Sequence, residues 1–454
     1  MLTMNDTNPS LIKYMGSKSE IIEFVVDGLN VIHKPEQAIC DLFSGSCTLA
    51  GALRSNNIPI YSNDIQAYSE VLAHTYLGNY NWSAYPDINR VVEEAQQVVN
   101  NWRREYSDLW EKFDYNRDFT FKQFIAIEQK QWDLLHSKTF IKSLKSNVNE
   151  DIRKYHLFTL DYSGTYWGFQ QCIWIDALRC VIDRYKDIPE YYNLLLSCTM
   201  FAMAYNSQST GHYAQFRKAQ TTSSMNDILI YRRKTMDGFF RRKYEELRTI
   251  LTNAPQSFIT KLDYIDCIDQ LPQKTLVYAD PPYCFVHYSR FYHILETFVL
   301  YDYPTVEYQG RYRDDRHQSP FCIATKVGSA FSVMFEHLRK QHCDLVLSYS
   351  NSDSTMIELP ELLISAYSIF NNIAKSKCQQ YYDEIEQAIR ELVIQNANIG
   401  QTTLDISALY LEHIQIEADY QIMLKLFPHV HSRMGRTQKK DISVFEALIL
   451  AYKR

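Results

Sequence analysis

No C-x-x-C pair, no apolar run of membrane length and no surplus of positive charge occur in this chain, and each absence removes a class of protein. The ten cysteines (Cys40, Cys47, Cys172, Cys180, Cys198, Cys267, Cys284, Cys322, Cys343, Cys378) are scattered. They frame neither a disulfide staple nor a zinc site and suit reduced thiols in the cytoplasm. The opening "MLTMNDTNPS" is polar and predicts neither signal nor anchor. The longest apolar run, roughly 194 to 205, falls short of the ~20 residues that a membrane span needs, so no membrane partner is expected. A net charge of −6 argues against a surface coated in base, but a local basic face suffices to hold phosphate. Internal repeats and low-complexity tracts are absent as well. What is present is a globular composition, 46% hydrophobic and 22% charged, in 454 residues, enough for two or three domains. The 34 tyrosines suit stacking on a ligand or base, and an aromatic-rich core accounts for them equally well.

Four short apolar segments bounded by turn residues predict strands of a parallel sheet: "AICDLF" (38–43), "IPIYSND" (58–64), "TLVYAD" (275–280) and "CDLVLSYS" (343–350). Helical patterns follow the first two, over 47–56 and 65–77, and another over 16–30 leads into the first. This is the βαβ rhythm of a doubly wound α/β fold. The rhythm breaks over 81–257, where Trp, Tyr and charge dominate a helical pattern; Phe169, Cys172, Ile173, Ala177, Cys180 and Val181 share one face. An insertion this long predicts a second domain. A further excursion follows, with one long amphipathic helix running through Cys378, Tyr381, Tyr382, Ile385, Ala388, Ile389, Leu392 and Val393. Its neighbours, including "LYLEHIQIEADYQIMLKL", are expected to be helical too.

Chemistry concentrates where strands end. "DLFSGSC" (41–47), with Asp41, Phe43 and Gly45, is a Gly-Ser turn that lets backbone approach a ligand. Asp64 ends the second strand, placed for ribose hydroxyls, and the pair implies an adenosine-containing cofactor. Asp280-Pro281-Pro282-Tyr283 follows the third predicted strand. An exocyclic amine with its lone pair delocalised into the ring is a poor nucleophile. A carboxylate (Asp280) and a stiffened carbonyl (Pro281) that each accept one amine hydrogen would bring that lone pair towards a methyl donor. Tyr283 offers a face for a flipped base, worth ~1–3 kcal/mol. In "KYMGSKSE" (13–20), Lys18 suits a cofactor carboxylate and Tyr14 its sulfonium or adenine. Asp263 in "KLDYID" suits an adenine amino group, or is a solvated loop acid.

In order and content these motifs resemble the Dam-type N6-adenine DNA methyltransferases, which carry K-[WY]-x-G-G-K, D-x-F-x-G-x-G, N/D-D and DPPY. Here they stand as Lys13 to Lys18, Asp41 to Cys47, Asn63-Asp64 and Asp280 to Tyr283. "GTYWGFQQCIWIDALR" (164–179), "HYSRFYHILET" (287–297) and "LSYSN" (347–351) are similar to segments of some members. The resemblance implies a Rossmann-like class I methyltransferase sheet with a large, mainly helical inserted domain and an extra C-terminal helical region. It implies S-adenosylmethionine as cofactor, double-stranded DNA as partner, and direct attack by the amine, so Cys284 is packing and no metal is required. A cognate restriction endonuclease or defence-system subunit is compatible with it. The expected division is 11–80 with 258–355 for cofactor and catalysis, 81–257 for target recognition, 356–429 as a helical insertion, and 430–454 returning to the catalytic domain. Two departures stand out: Ser17 and Cys47 occupy glycine positions, and a β-carbon at 47 narrows the cofactor site if its φ is positive.

For holding DNA, "ILIYRRKTMDGFFRRKYEE" (228–246) gathers Arg232, Arg233, Lys234, Arg241, Arg242 and Lys243 around Phe239 and Phe240, the pattern of a phosphate clamp with an apolar wedge. "AYNSQSTGHYAQFRK" (204–218), with Arg217, suits reading base edges. A solvated basic face and a polar loop have the same compositions. An adenine in structured RNA, or a partner-dependent or non-catalytic subunit that binds DNA and cofactor, stay open as alternatives.

Overall fold

A computed structural model of the chain describes residues 1–5, 8–14, 16–135, 137, 155–209, 211–254, 256–282, 287–350, 356–399, 403–414, 418–428 and 445–453. In chain order the strands are β1 (Ile39–Asp41), β2 (Pro59–Asn63), β3 (Gln256–Thr260), β4 (Leu276–Ala279), β5 (Val306–Glu307), β6 (Tyr312–Arg313), β7 (Asp344–Ser350), β8 (Thr403–Asp405), β9 (Tyr420–Pro428) and β10 (Phe445–Lys453). β5 and β6 form a separate ribbon, and the other eight make one sheet in the order β3-β2-β1-β4-β7-β10-β9-β8. From β3 to β7 neighbours run parallel; β10 is antiparallel to both β7 and β9, and β8 to β9.

Each central strand divides its side chains between two cores. On β4, Leu276 and Tyr278 join one hydrophobic cluster while Val277 and Ala279 join the other. On β10, Leu448 and Leu450 face the first, and Ala447, Ile449 and Ala451 the second. Burial on both faces explains why these strands are near-continuous apolar runs and not alternating ones. Helices α1 (Ile22–Ile32), α2 (Thr48–Leu53) and α3 (Ala67–Leu77) contribute to the first core. α1 lies close on the sheet at Gly28, where a β-carbon would meet Leu448 at 2.5 Å. All described cysteines are free thiols, and all but Cys180 are buried, so they act as small apolar packing groups. Among the described residues no helix is long and apolar enough to cross a membrane.

The stretch between β2 and β3 is helical, including α4 (Ile88–Glu105) and the helices Phe169–Ile182, Pro189–Asn206, Thr222–Arg232 and Met236–Ile250. Its buried side chains join the same cluster as α1 to α3, through contact of Pro189–Asn206 with α3. The helix Phe169–Ile182 is buried nearly all round, not on the single expected face. Its Asp176 carboxylate accepts bonds from the Phe158 and Thr159 amides and the Tyr301 hydroxyl, at 3.0, 2.8 and 2.6 Å.

Two expectations after β7 need correction. The long amphipathic helix is two, Lys375–Gln379 and Tyr382–Ile399, broken at residues 380–381. Its stripe packs on its own protein, with Cys378, Ile385 and Leu392 in the second core. The expected helix over "LYLEHIQIEADYQIMLKL" ends in strand β9 from Tyr420. Tyr420, Ile422, Leu424 and Leu426 enter one core and Met423 and Phe427 pack on the other, a period of two that pairing with β10 selects.

Candidate active site

Parallel pairing sets Asp41 level with Ser62 on β2 and Tyr278 on β4. Asp41, Asp64 and Asp280 therefore gather at or just beyond the carboxyl ends of three neighbouring strands, the edge where α/β sheets bind ligands. The loop after β1 is fixed by its neighbour: the Gly45 amide donates to Asp64 Oδ2 at 2.8 Å, and the Gln66 amide to Oδ1 at 2.9 Å. Gly45 has φ +48°, and a β-carbon there would lie 2.7 Å from the Tyr14 hydroxyl. Tyr14 in turn stacks on Tyr292 (4.4 Å) and Tyr288 (5.6 Å) of the helix Tyr288–Leu300 that follows the proline pair. Tyr14 thus packs against two distant pieces of chain, the loop after β1 and the helix Tyr288–Leu300.

Cys47 does have positive φ, +56°, the condition under which its side chain was expected to narrow the site. The thiol is fully buried and turns to the Ser69 carbonyl at 3.3 Å, so its bulk goes into the core. Ser17, the other departure, meets the Thr48 hydroxyl at 3.1 Å and ties the loop before α1 to the start of α2. Phe43 lies against Tyr264 (5.7 Å) and Phe321 (5.5 Å), an aromatic floor beside the β1 and β3 ends. Asp263, expected to meet an adenine amine or solvent, caps the helix Tyr264–Gln270 by accepting the Ile265 amide at 3.0 Å.

Asp280 is held by charge. Lys18 Nζ lies 3.2 Å from its Oδ1 and also pairs with Glu446, which reaches in from β10. Ser348 Oγ donates to the same Glu446 oxygen at 3.3 Å. Burial pushes Asp280 up to about 6; the Glu446 charge adds to this, while Lys18 and Ser348 oppose it. Burial, then the charges of Asp280 and Asp64, push Asp41 well above the usual carboxylate range. Burial raises Asp64 as well, against the amides of Gln66 and Gly45. Around Lys18 the carboxylates are in excess, two to one ammonium. Pro281 is buried, and the Pro282 carbonyl accepts from the Cys322 thiol at 3.3 Å, which anchors the second proline to the protein. Tyr283 and Cys284 lie outside the described residues.

Beside Asp64 lies a cavity of about 170 Å³ lined by Ile65, Gln66, His293, Glu296 and His317 among others; Asp280 does not line it. Glu296 accepts the Ala67 and Tyr68 amides at 3.0 and 3.1 Å and so caps α3. Neither Glu296 nor Glu446 was expected from the sequence. The signal for Glu446 was a lone acid inside the apolar run "FEALILAY".

The basic stretch divides. Arg232, with its side chain 1% exposed, pairs with Glu128 at 3.1 Å, and Lys243, 2% exposed, bonds the Ser10 carbonyl and Glu246 at 2.9 Å each. Both are buried structural groups and are withdrawn from the expected phosphate clamp; Phe240 is buried too and is no wedge. The helix Met236–Ile250 is amphipathic, and a pattern of cations alone does not say which of them face inwards. Arg233 is exposed but donates to the Tyr115 and Arg117 carbonyls at 2.9 Å each, and Arg241 bonds Asn89. Arg217 pairs with Asp227 at 3.2 Å. Lys234 and Arg242 meet a cation from the other end of the chain, Lys13, around Tyr205 and Phe239. Burial, then repulsion from Lys13 and Arg242, lowers the Lys234 pKa, and among the described residues none of the three has a carboxylate partner.

Comparison with known proteins agrees with the motif order. The family model described as D12 class N6 adenine-specific DNA methyltransferase matches residues 14–356. Modification methylase LlaI of Lactococcus lactis subsp. lactis is 21% identical over 356 residues, covering 78% of this chain and 48% of that protein. Type II methyltransferase M.FokI of Planomicrobium okeanokoites is 22% identical over 394 residues, 84% of this chain and 51% of its own. Modification methylase StsI of Streptococcus sanguinis is 21% identical over 354 residues, 75% and 44%. The chain spans about half the length of these relatives.

Proposed function

The chain belongs to the D12 class N6 adenine-specific DNA methyltransferase family, and on that premise we propose that it transfers a methyl group from S-adenosylmethionine to N6 of a flipped adenine in double-stranded DNA, in restriction–modification or phage defence. One observation carries this: the Asp280 carboxylate stands at the carboxyl end of β4, salt-bridged to Lys18 and followed by two prolines. The donor, when bound, supplies an electrophilic sulfonium methyl. Tyr14, Lys18, Asp41, Phe43, Gly45, Asp64 and Asp263 are the residues that would hold it. Phe43 and Tyr264 suit an adenine ring, and the surplus of carboxylates suits the donor's positive charge.

On the substrate side, Asp280 accepts one N6 hydrogen and the Pro281 carbonyl the other. Two accepted hydrogens fix the amine and leave its lone pair as the group facing the donor. Pro282 acts by holding that turn, and Tyr283 stacks on the base. The cations Lys13, Lys234 and Arg242, with Arg217, Arg233 and Arg241 at the margins, take DNA phosphates, and residues 81–257 act as the target-recognition domain. The residues 11–80 and 258–355 form the catalytic domain, to which 430–454 return through β10.

Expression of the wild type and Asp280→Ala in a host without adenine methylation tests this. N6-methyladenine at one short DNA motif, absent with the variant, is expected. Unmodified DNA from a folded wild type refutes it and returns the RNA or partner-dependent alternatives.

A further inference from the structure

Glu446 is a carboxylate in the middle of a sheet. It sits on β10 opposite Ser350 of β7, is 2% exposed, and is flanked by Phe445 and Ala447 of the second core. Its Oε1 takes both the Lys18 ammonium and the Ser348 hydroxyl, while Oε2 is buried with no hydrogen-bond partner among the described residues. Burying an acid with one oxygen unmet is unfavourable, and an apolar side chain of similar volume would avoid the cost. What Glu446 does achieve is geometric. A single ammonium, Lys18, bridges two carboxylates far apart in sequence: Asp280, just after β4, and Glu446 from β10.

We propose that Glu446 is a positioning residue of the methyl-transfer site, dividing the charge of Lys18 between two acids so that Asp280 remains an acceptor for the target amine. Without it, Lys18 pairs with Asp280 alone, draws electron density from that carboxylate and weakens its hydrogen bond to N6. Glu446 touches neither base nor donor; it acts through Lys18. The role rests on the methyltransferase function proposed above. The groups facing Asp280 are Lys18 before α1, Asp41 on β1, Tyr278 on its own strand, Ser348 on β7 and Glu446. Of the two acids, Glu446 shares the lysine.

Glu446→Gln keeps the shape and removes the charge. With wild-type enzyme active on duplex DNA, the variant is expected to lose on the order of tenfold in kcat, with KM for DNA and donor within about threefold. The acid limb of its pH–rate profile should move down by about one pH unit, because a negative neighbour of Asp280 has gone. Calorimetric titration with S-adenosylhomocysteine should give an affinity within about threefold of wild type. A purely structural Glu446 would lower thermal stability and leave kcat per folded molecule and the acid limb in place, and that result overturns the proposal. If the glutamine variant does not fold, Glu446→Asp serves. It keeps the charge but withdraws it from Lys18 by about 1.5 Å. A kcat lowered by about threefold or more at unchanged KM supports the role, and an unchanged kcat overturns it. A wild type silent on DNA overturns the function and this role together, whereas an active wild type with an unaltered variant overturns the role alone.

Discussion

Replacing Gly45 by alanine strains the loop after β1 twice. Its φ of +48° lies in the left-handed region, which costs an L-residue roughly 1–2 kcal/mol. The new β-carbon would sit 2.7 Å from the Tyr14 hydroxyl, where ordinary contact begins at 3.4 Å. Tyr14 has little room to retreat, because its ring is stacked on Tyr292 at 4.4 Å. Overpacking of this kind costs about 1–3 kcal/mol. Alanine also restricts the unfolded chain, which returns about 0.4–1 kcal/mol. A net destabilisation of roughly 1–4.6 kcal/mol follows. It should appear as a lower urea midpoint at unchanged slope. Since Gly45 and Asp64 share a hydrogen bond, S-adenosylhomocysteine affinity should fall about tenfold or more, equivalent to about 1.4 kcal/mol. A variant within about 0.5 kcal/mol of wild type, with unchanged affinity, would refute the reasoning; the loop would then be free to relax.

Other consequences can be measured directly. Asp280 is held at about 6, chiefly by burial. Protonation removes the acceptor, so kcat/KM should fall about tenfold per unit below about pH 6 and level off above it; a limb near pH 4 refutes the assignment. The same upward shift makes the folded state bind the proton more tightly than the unfolded chain. The Asp280 contribution to stability therefore diminishes as pH rises from about 4 to about 6, which denaturation across that window checks. Arg232→Ala breaks a buried pair and should cost about 3–5 kcal/mol of stability, whereas Arg242→Ala, which loses only ring contacts, should cost about 1 kcal/mol or less, weaken DNA binding and reduce the salt slope by about one. Equal effects of the two on DNA binding would contradict the placement. Glu296→Gln leaves one of the two α3 amides facing a second N–H donor in place of an acceptor and should cost about 1–3 kcal/mol in urea unfolding.

The sequence determined what short-range chemistry determines. β1, β2, β4 and β7 are legible because each is an apolar run closed by turn residues. Asp41, Asp64 and Asp280 are legible because strand ends are where such acids matter. Its limits follow from the same locality. β9 resembled a helix until β10 paired with it, since an apolar stretch of this length does not state its own period. Arg232 and Lys243 carry the same formal charge as Arg242, and only packing of the helix that bears each one decides which are buried. Asp263 is an acid at a helix start, and its commitment to the Ile265 amide is a matter of backbone geometry. The Lys18–Glu446 contact joins residues 428 positions apart, because sheet order sets β10 beside β7, and no local pattern encodes that neighbour. The tertiary structure alone placed a lysine from the start of the chain between Asp280 and a glutamate of the last strand.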